Sequence, residues 1–317
     1  MRRQFVLGGL LVFGVLSLSV AAMQQPPRPS ADAIKVEKLA DNLYVLNALA
    51  AGAGGNTSVF ITGTGVIVVD TKNPGWGQPL LDKIKTLTDK PVTMIVNTHT
   101  HGDHVSGNVE FPATIDVVAH ENTKTNMASM RPASFVAQPP GGPAPNIFTA
   151  NQGRNLPKKT FKDQLTIGTG ADRVELHYFG PAHTNGDAMV FFPAARVLHM
   201  ADVFPNKGVP GIDMNNGGSG VGYAATLTKA ADFADKNNVE KIVNGHFEST
   251  TTRAELREYI EYVKEFVQTV QAGKKAGKTT DQVGSEWKTP ARFKGYEPMP
   301  VALRVKADAE LIYKETK

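Results

Sequence analysis

Residues 97–108 read NTHTHGDHVSGN, and they place His99, His101, Asp103 and His104 almost side by side. The whole chain of 317 residues contains only eight histidines. A single histidine is usually a hydrogen-bonded core or surface residue, whereas four adjacent side chains of ligand type favour a metal site. The stretch begins where the apolar run PVTMIVNT stops, and that run predicts a buried strand.

Three more side chains of ligand type stand directly beyond predicted strands farther along the chain. His183 follows the run VELHYFG, Asp202 ends the run VLHMAD, and His246 follows KIVNG. In extended chain His99 and His101 project to the same side, because side chains two positions apart share a face. These two histidines can therefore bind one metal ion, and His183 would complete that set.

The turn at Gly102 aims Asp103 and His104 in a different direction, which favours a second metal ion served also by Asp202 and His246. Imidazole and carboxylate ligands without thiolate favour zinc. Three protein ligands on the first ion leave one position open for water, which is typical of catalytic sites. Because zinc lowers the pKa of water to about 7, the pattern predicts hydrolysis at neutral pH.

The order of predicted strands and helices indicates an α/β (α+β) fold. The first half reads β-β-β-β-α-β-α-β-α, and the pattern repeats from about Thr160, with a helix at about 222–236. A long amphipathic helix begins at Arg253, after the capping-box pair Thr252 and Glu255. Two halves of this kind predict a four-layer αββα sandwich, in which two mixed β-sheets lie face to face and helices flank them.

The motif HTHGDH resembles the His-x-His-x-Asp-His signature of the metallo-β-lactamase superfamily. The resemblance runs from about Asp41 to His246, and the segments GGNTSVFITGTGVIVVDT, GPAHTNGD, HMADVF and VNGHFE follow in the family's order. It implies the metallo-β-lactamase fold and two zinc ions per chain. It also implies seven ligands, with Asp103 as the candidate catalytic residue: His99, His101 and His183 on the first zinc, Asp103, His104 and His246 on the second, and Asp202 as a bridge.

The resemblance further implies an exported, dinuclear zinc-dependent hydrolase of small molecules, which cleaves an ester-like bond with a metal-bound hydroxide. Its substrate would be a lactone, thioester, ester or lactam. Asp at position 202 is shared with glyoxalase II-like thioesterases and with lactonases, whereas β-lactamases have Cys or a non-ligand Ser there. Many β-lactamases also have Lys three residues on, where this chain has Pro205, although Lys207 is a possible substitute.

Three other interpretations stay open at this point. A periplasmic metallo-β-lactamase that hydrolyses β-lactam antibiotics is the main alternative. An iron-dependent persulfide dioxygenase, which uses related ligands for one iron ion, belongs to a different class, and iron or manganese in place of zinc is not excluded. A non-catalytic zinc-binding protein is the third, although the intact set of ligands disfavours it.

Several polar side chains outside this set are candidates for a supporting role near the metals or for contact with the substrate: Asp70, Asn215, Asn216 and Tyr223. The remaining histidines belong to predicted strands and are expected to have no metal role: His120, His177 and His199. The segment 131–159 is rich in Pro, Gly and Ala, and we expect it to be an irregular loop over the metals. Apolar side chains on this loop would contact the substrate: Phe135, Ile147 and Phe148.

The charge and cysteine content of the chain exclude some kinds of binding partner and covalent modification. The net charge is +4, and the 34 lysines and arginines are scattered rather than interleaved with aromatic residues, so we expect no nucleic-acid partner. The chain has no cysteine, which excludes disulfides and a lipid-modified cysteine. A single domain is expected over residues 35–317, with 253–317 as its C-terminal helical section. The oligomeric state is left open.

The first residues have the pattern of a secretory signal peptide. Arg2 and Arg3 precede the apolar run FVLGGLLVFGVLSLSV, and small residues follow at Ala21 and Ala22. We therefore expect 1–22 to be removed on export to the periplasm or medium, and no stable membrane insertion afterwards. Residues 23–34 are expected to form a disordered Pro-rich tether. The alternative is a membrane anchor, for which the apolar run is short compared with the ~20 residues of a typical span.

Export gives the first prediction. Mature protein recovered from the periplasm should begin after Ala21 or Ala22, because small residues there satisfy the cleavage rule of signal peptidases. Intact mass spectrometry would measure the loss directly, and replacing Ala21 and Ala22 by bulky residues should block it. A full-length mass in the periplasmic fraction would support the anchor instead.

Overall fold

The computed structural model describes residues 29–248, 250–296 and 301–317. The expected signal peptide and most of the expected tether lie outside these residues. The end of the tether is ordered, because Ala31–Ala33 forms a short 3-10 helix and Ile34 is buried with Trp76 and Leu80. The expectation of disorder therefore does not hold for this last part of 23–34.

The first sheet has its seven strands in sequence order: β1 (Lys35–Ala40), β2 (Leu43–Asn47), β3 (Thr57–Ile61), β4 (Val66–Val69), β5 (Val92–Asn97), β6 (Asp116–His120) and β7 (Lys159–Phe161). Strands β1 to β4 pair antiparallel, and β4 to β7 pair parallel. Every residue of β4 is buried, as its continuous apolar run predicts for a strand covered on both faces.

The second sheet has five strands in the order β12-β11-β10-β9-β8: β8 (Gln164–Ile167), β9 (Val174–His177), β10 (Met189–Phe192), β11 (Val197–Ala201) and β12 (Lys241–Asn244). Only β11 and β12 pair parallel, so this sheet is mixed like the first. The division between the two sheets falls after β7, later than the repeat in the sequence suggests.

Helices connect and cover the sheets: α1 (Gly77–Lys85), α2 (Gly102–Val105), α3 (Glu121–Ser129), α4 (Ile147–Ala150), α5 (Gly220–Lys236), α6 (Arg253–Lys275), α7 (Thr280–Glu286) and α8 (Val301–Glu315). Helix α6 begins at the predicted capping box, in which Thr252 and Glu255 bond each other's backbone N–H groups. Among the residues described, no helix is both long and apolar enough to cross a membrane.

Three apolar layers separate the elements. Between the sheets, Phe60 and Val69 pack with Val190 and Phe192. Helix α1 covers the outer face of the first sheet, and α5, α6 and α8 cover that of the second. The predicted four-layer αββα sandwich is therefore confirmed, and its packing follows from the burial of one apolar face of each sheet and helix.

Helix α8 fastens the loop 205–219 to the rest of the fold. Its Asp308 is fully buried, and Asp308 Oδ1 accepts a hydrogen bond from Ile212 N at 2.9 Å. One end of α8 also contacts the start of α5, where Glu315 Oε2 accepts from the N–H groups of Gly220 and Val221 at 2.9 and 3.0 Å. The course of this loop thus depends on side chains nearly one hundred positions farther along the chain.

This arrangement predicts opposite effects of two substitutions at Asp308. Burial raises the pKa of Asp308 well above its ordinary value, so the native state keeps a proton that the unfolded chain releases above about pH 4. Stability contributed here therefore falls as pH rises. Asp308→Asn keeps an acceptor for Ile212 N without the charge, and should match or exceed the wild-type free energy of unfolding at neutral pH, with a margin that grows with pH.

Asp308→Ala is the matched control, since it leaves the buried N–H of Ile212 without a partner. We expect a loss of about 1–3 kcal/mol in the free energy of unfolding. Urea denaturation of both variants at several pH values between about 5 and 8 measures the two effects. An Asn variant that is less stable than the Ala variant would contradict the assignment.

Candidate metal centre

The seven predicted ligands come together at one end of the two sheets, where strands stop and short loops begin. Each follows a strand or lies in the helix after it: His99 and His101 after β5, Asp103 and His104 in α2, His183 after β9, Asp202 after β11, and His246 after β12. In α/β folds, the carboxyl ends of parallel strands commonly carry the functional residues. The distances below show how these side chains divide into two sets.

The first set contains three histidines and one carboxylate. His101 Nδ1 lies 2.8 Å from His183 Nε2, and His183 Nε2 lies 3.5 Å from Asp202 Oδ2. His99 Nε2 lies 4.0 Å from the same oxygen and is buried without a hydrogen-bond partner among the described residues. One ligand atom of each of the four side chains lies within 4.8 Å of the others.

The second set lies directly beside the first and shares Asp202 with it. His246 Nε2 lies 3.3 Å from Asp103 Oδ2 and 3.2 Å from His104 Nε2. Asp202 Oδ1 lies 3.2 Å from His104 Nε2, and Asp202 Oδ2 lies 3.3 Å from His246 Nε2. The Asp202 carboxylate thus stands between both groups of imidazoles, where the sequence predicted a bridge.

Asp70 orients one histidine of each set. Its Oδ2 accepts from His104 Nδ1 at 2.8 Å and from Thr98 Oγ1 at 2.6 Å, while Oδ1 accepts from Thr98 N at 2.9 Å. Thr98 Oγ1 in turn lies 3.0 Å from His99 Nδ1, from which it can accept. Both histidines therefore turn their Nε2 atoms toward the cluster. The structure places Asp70 where a supporting role was predicted, since such partners fix the ring orientation of metal ligands.

Asp213 orients a second histidine of the first set, although no sequence pattern points to this residue. His101 Nε2 donates to Asp213 Oδ2 at 2.7 Å, which leaves His101 Nδ1 facing the cluster. Burial opposes ionisation, but the hydrogen bond and charge of His101 lower the pKa of Asp213 to about 2. Beside it, the carbonyl of Gly211 accepts from His183 Nδ1. Asp213 belongs to an irregular loop, where no periodic pattern marks a buried position.

The other three supporting candidates lie outside the cleft described below. Tyr223 is fully buried, and its hydroxyl donates to the carbonyl of Asp202 at 3.0 Å, so it holds the bridging segment rather than a substrate. Asn216 Nδ2 donates to Asp213 Oδ2 at 2.6 Å. Asn215 is exposed and donates to the carbonyl of Pro132. All three shape the walls of the centre, and the structure gives none of them a direct path to a substrate.

The histidines predicted to have no metal role bind other partners. His120 Nε2 donates to the carbonyl of Lys162 at 2.8 Å, and His177 pairs with Glu175 at 3.0 Å. His199 is buried between the sheets, with Nδ1 at 2.7 Å from Ser58 Oγ. None of the three belongs to the possible metal-binding groups found among the described residues.

A lysine beneath the cluster is also buried, although no sequence pattern predicts its burial. Lys72 is completely buried, and its Nζ donates to the carbonyls of Leu46 and Gly55 at 3.0 and 2.7 Å. Burial lowers its pKa to about 7, although the charge of Asp70 opposes this shift. Lys72 thereby fixes the turn at Gly55, which packs directly against the His104 ring.

Two glycines in the quoted motifs allow the ligands to approach the backbone. A Cβ added to Gly55 would lie 2.1 Å from His104 Cε1, and one added to Gly245 would lie 1.9 Å from Asp202 Oδ1. Either contact would push a ligand out of place, since both side chains are held on their other sides. The glycines of GGNTS and VNGHF are therefore required by the centre itself.

The donor atoms fit a group of divalent cations. Burial lowers the pKa of His183 to about 3 and that of His99 well below its ordinary value, so both rings are neutral at pH 7. Neutral imidazole is the form that binds metals. Two of the buried polar atoms that have no hydrogen-bond partner among the described residues, His99 Nε2 and Asp202 Oδ1, belong to side chains of this cluster and fit the role of metal ligands. Imidazole and carboxylate without thiolate suit zinc.

A cleft of about 980 Å³ opens onto the cluster. Phe135 and Ile147 from the segment 131–159 line it, as predicted for contacts with a substrate. Phe148 does not, because it is buried in an apolar cluster with Val105 and Met127. Helix α4 carries both Ile147 and Phe148, so the predicted irregular loop contains one regular turn that directs Phe148 inward.

Comparison with known proteins agrees with this geometry. The profile of the metallo-beta-lactamase superfamily matches residues 51–246. Metallo-beta-lactamase type 2 of Elizabethkingia meningoseptica is 24% identical over 250 residues, which cover 75% of this chain and 86% of that protein. The 2,4-dinitroanisole O-demethylase subunit alpha of Nocardioides sp. (strain JS1661) is 30% identical over 143 residues, which cover 44% of this chain and 38% of that subunit.

Among solved structures, a metallo-beta-lactamase from Pontibacter korlensis has the same fold, with a TM-score of 0.56 and 18% identity over 73% of this chain and 99% of that chain. The superfamily profile spans more than half of the chain and includes all seven clustered ligands. On the strength of that match and of the shared fold, the chain belongs to the metallo-β-lactamase superfamily and is a metal-dependent hydrolase.

Proposed function

We propose that the protein is a dinuclear zinc hydrolase that cleaves an ester-like bond in a small molecule: an ester, lactone, thioester or lactam. The observation that carries this proposal is the position of Asp202 between the two sets of imidazoles. A carboxylate that contacts both sets suits a pair of ions better than one ion. Bound zinc would supply Lewis acidity, which lowers the pKa of water and polarises a carbonyl group.

The side chains around the ions would have separate tasks. His99, His101 and His183 would hold the first ion, and two of them, His101 and His183, line the cleft. Asp103, His104 and His246 would hold the second ion, and Asp103 and His246 line the same cleft. Asp103 is half-buried, so its carboxylate is close enough to solvent to orient an attacking water and accept its proton.

Hydrolysis of an ester or lactone is favoured over that of a β-lactam by two features of the chain. Aspartate at position 202 is the ligand shared with thioesterase- and lactonase-like members of the family, as the resemblance implies. Lys207, the possible substitute for the drug-binding lysine, instead pairs with Glu255 at 2.8 Å and does not line the cleft. The relative from Elizabethkingia meningoseptica, which is named a metallo-beta-lactamase, supports β-lactam hydrolysis as the second candidate.

The iron-dependent dioxygenase is a weaker candidate, since it would use one ion and leave the second set of ligands without a task.

Export also belongs to this proposal. A periplasmic or secreted hydrolase is supported by the apolar run at residues 5–20, which follows Arg2 and Arg3.

Metal content is the direct test of a dinuclear centre. Purified mature protein should contain two zinc ions per chain, and a His104→Ala/His246→Ala double variant should contain one, because the second set would lose two ligands. His120→Ala is the matched control, since this histidine lies outside the cluster, and it should keep both ions. Elemental analysis that finds one ion, or mainly iron, in the wild type would reject the proposal.

Asp202 tests the ranking of substrates. Asp202→Cys replaces a ligand able to reach both ions with one that favours a single ion, and should lower ester and lactone turnover by about 10–100-fold. Asp232→Cys adds a thiol at an exposed position far from the cleft and should leave turnover unchanged. The assay compares chromogenic esters, lactones and cephalosporins. Wild-type protein that hydrolyses cephalosporins faster than any ester or lactone would favour the β-lactamase.

A further inference from the structure

Two positively charged side chains that are not among the clustered metal ligands line the cleft. Apart from the clustered histidines and aspartates, the charged side chains that line it in the described parts of the chain are Arg131 and Arg304. Arg131 belongs to the segment over the cleft and is exposed, whereas Arg304 is half-buried on helix α8. Helix α8 lies beyond residues 51–246, the part of the chain that matches the superfamily profile.

The Phe135 ring packs against Arg304 and also against two histidines of the metal centre. The guanidinium carbon of Arg304 lies 4.9 Å from the centroid of the Phe135 ring, which is a cation–π contact. The same ring lies 5.8 Å from the His101 ring and 5.7 Å from the His183 ring, centroid to centroid. Arg304 therefore stands about one aromatic ring away from two ligands of the first set.

The charge of Arg304 is not neutralised by a carboxylate in the described structure, since none lies within 4 Å of its guanidinium. The nearest acid on its helix is Asp308, whose Oδ1 accepts a hydrogen bond from Ile212 N. Burial raises the pKa of Asp308, although the charge of Arg304 opposes this rise. Lys306 offers a contrast, because it pairs with Asp281 at 2.7 Å. Arg304 is half-buried, and its guanidinium pairs with no carboxylate among the described residues, so an anion from outside the protein suits it as a partner.

The cleft that Arg304 lines also has exposed apolar side chains. Val136 lines it and is 53% exposed. Met130 and Ile147 add further apolar surface to the cleft wall. A ligand that satisfies both the charge and these walls needs an apolar chain and an acidic group.

We infer that the substrate of this hydrolase is a small amphiphilic anion, whose carboxylate or comparable acidic group binds Arg304 while its apolar chain lies along Phe135 and Ile147. This inference rests on the proposed function for the identity of the bond that is cleaved. It assigns to α8 a binding residue for the substrate, and Arg131 adds a weaker, solvent-exposed attraction at the same wall.

A pair of esters tests the inference in the zinc-loaded mature protein. Para-nitrophenyl hexanoate and mono-para-nitrophenyl adipate have the same chain and differ in a terminal methyl group or carboxylate. Arg304→Met should lower the ratio of kcat/KM for adipate to that for hexanoate by about 10-fold, the effect of losing one charge-assisted hydrogen bond. Lys306→Met removes the same charge from the same helix and should leave the ratio unchanged.

A binding measurement separates this inference from the proposed function, because it needs no turnover. Anilinonaphthalene sulfonate is an amphiphilic anion, and N-phenyl-naphthylamine is its neutral counterpart. Fluorescence titrations should give a Kd for the sulfonate that rises about 10-fold in Arg304→Met but not in Lys306→Met, with the neutral probe changed much less.

The results can reject the proposed ester hydrolysis and the anion site at Arg304 independently of each other. If neither ester is hydrolysed but Arg304→Met weakens only the sulfonate, the proposed ester hydrolysis fails and the anion site stands. If both esters are hydrolysed and Arg304→Met changes neither the ratio of kcat/KM nor the ratio of probe affinities, the anion site is wrong. Equal losses for the charged and neutral members of each pair would also overturn it, since they would indicate a packing role for Arg304.

Discussion

Two imidazole nitrogens face each other across 2.8 Å in this protein, and their other ring nitrogens are already committed as donors. His101 Nε2 donates to Asp213, and His183 Nδ1 donates to the carbonyl of Gly211. In the neutral rings both facing atoms therefore present lone pairs, which repel. Both atoms would serve as ligands of a cation, and binding it would remove this repulsion. In the second set, His104 Nε2 and His246 Nε2 also face each other, at 3.2 Å. The fold around the centre holds these nitrogen atoms close together.

The sandwich meets this requirement because strand ends fix backbone positions while buried acceptors fix the rings. Asp70 directs one histidine of each set, and it stands at the end of β4, whose residues are all buried. Asp213 directs a third histidine from a loop that has no regular structure of its own. Such outer contacts hold ligands before any metal binds, and this lowers the cost of assembling the site.

The ligands could be predicted from the sequence because each stands at a recognisable strand end and because their spacing is typical of one family. The layers could be predicted because apolar periodicity reports burial directly. The sequence did not predict the positions of three other residues, because tertiary contacts alone decide their burial: Asp213, Lys72 and Phe148. A lysine beside Asp70 suggests an exposed position, yet it bonds two carbonyls inside the core. The turn of α4 likewise places Ile147 in the cleft and Phe148 beneath it, a distinction that composition does not carry.

Helix α8, which lies outside the part of the chain that matches the superfamily, contacts residues beside the metal centre. Through Asp308 it holds Ile212, which adjoins the aspartate that orients His101. Through Arg304 it reaches the Phe135 ring that packs beside His101 and His183. The metal ligands all lie within the region common to the superfamily, whereas this helix lies outside it. If Arg304 binds the substrate as proposed, a change in α8 would alter which molecule is bound while every metal ligand stays the same.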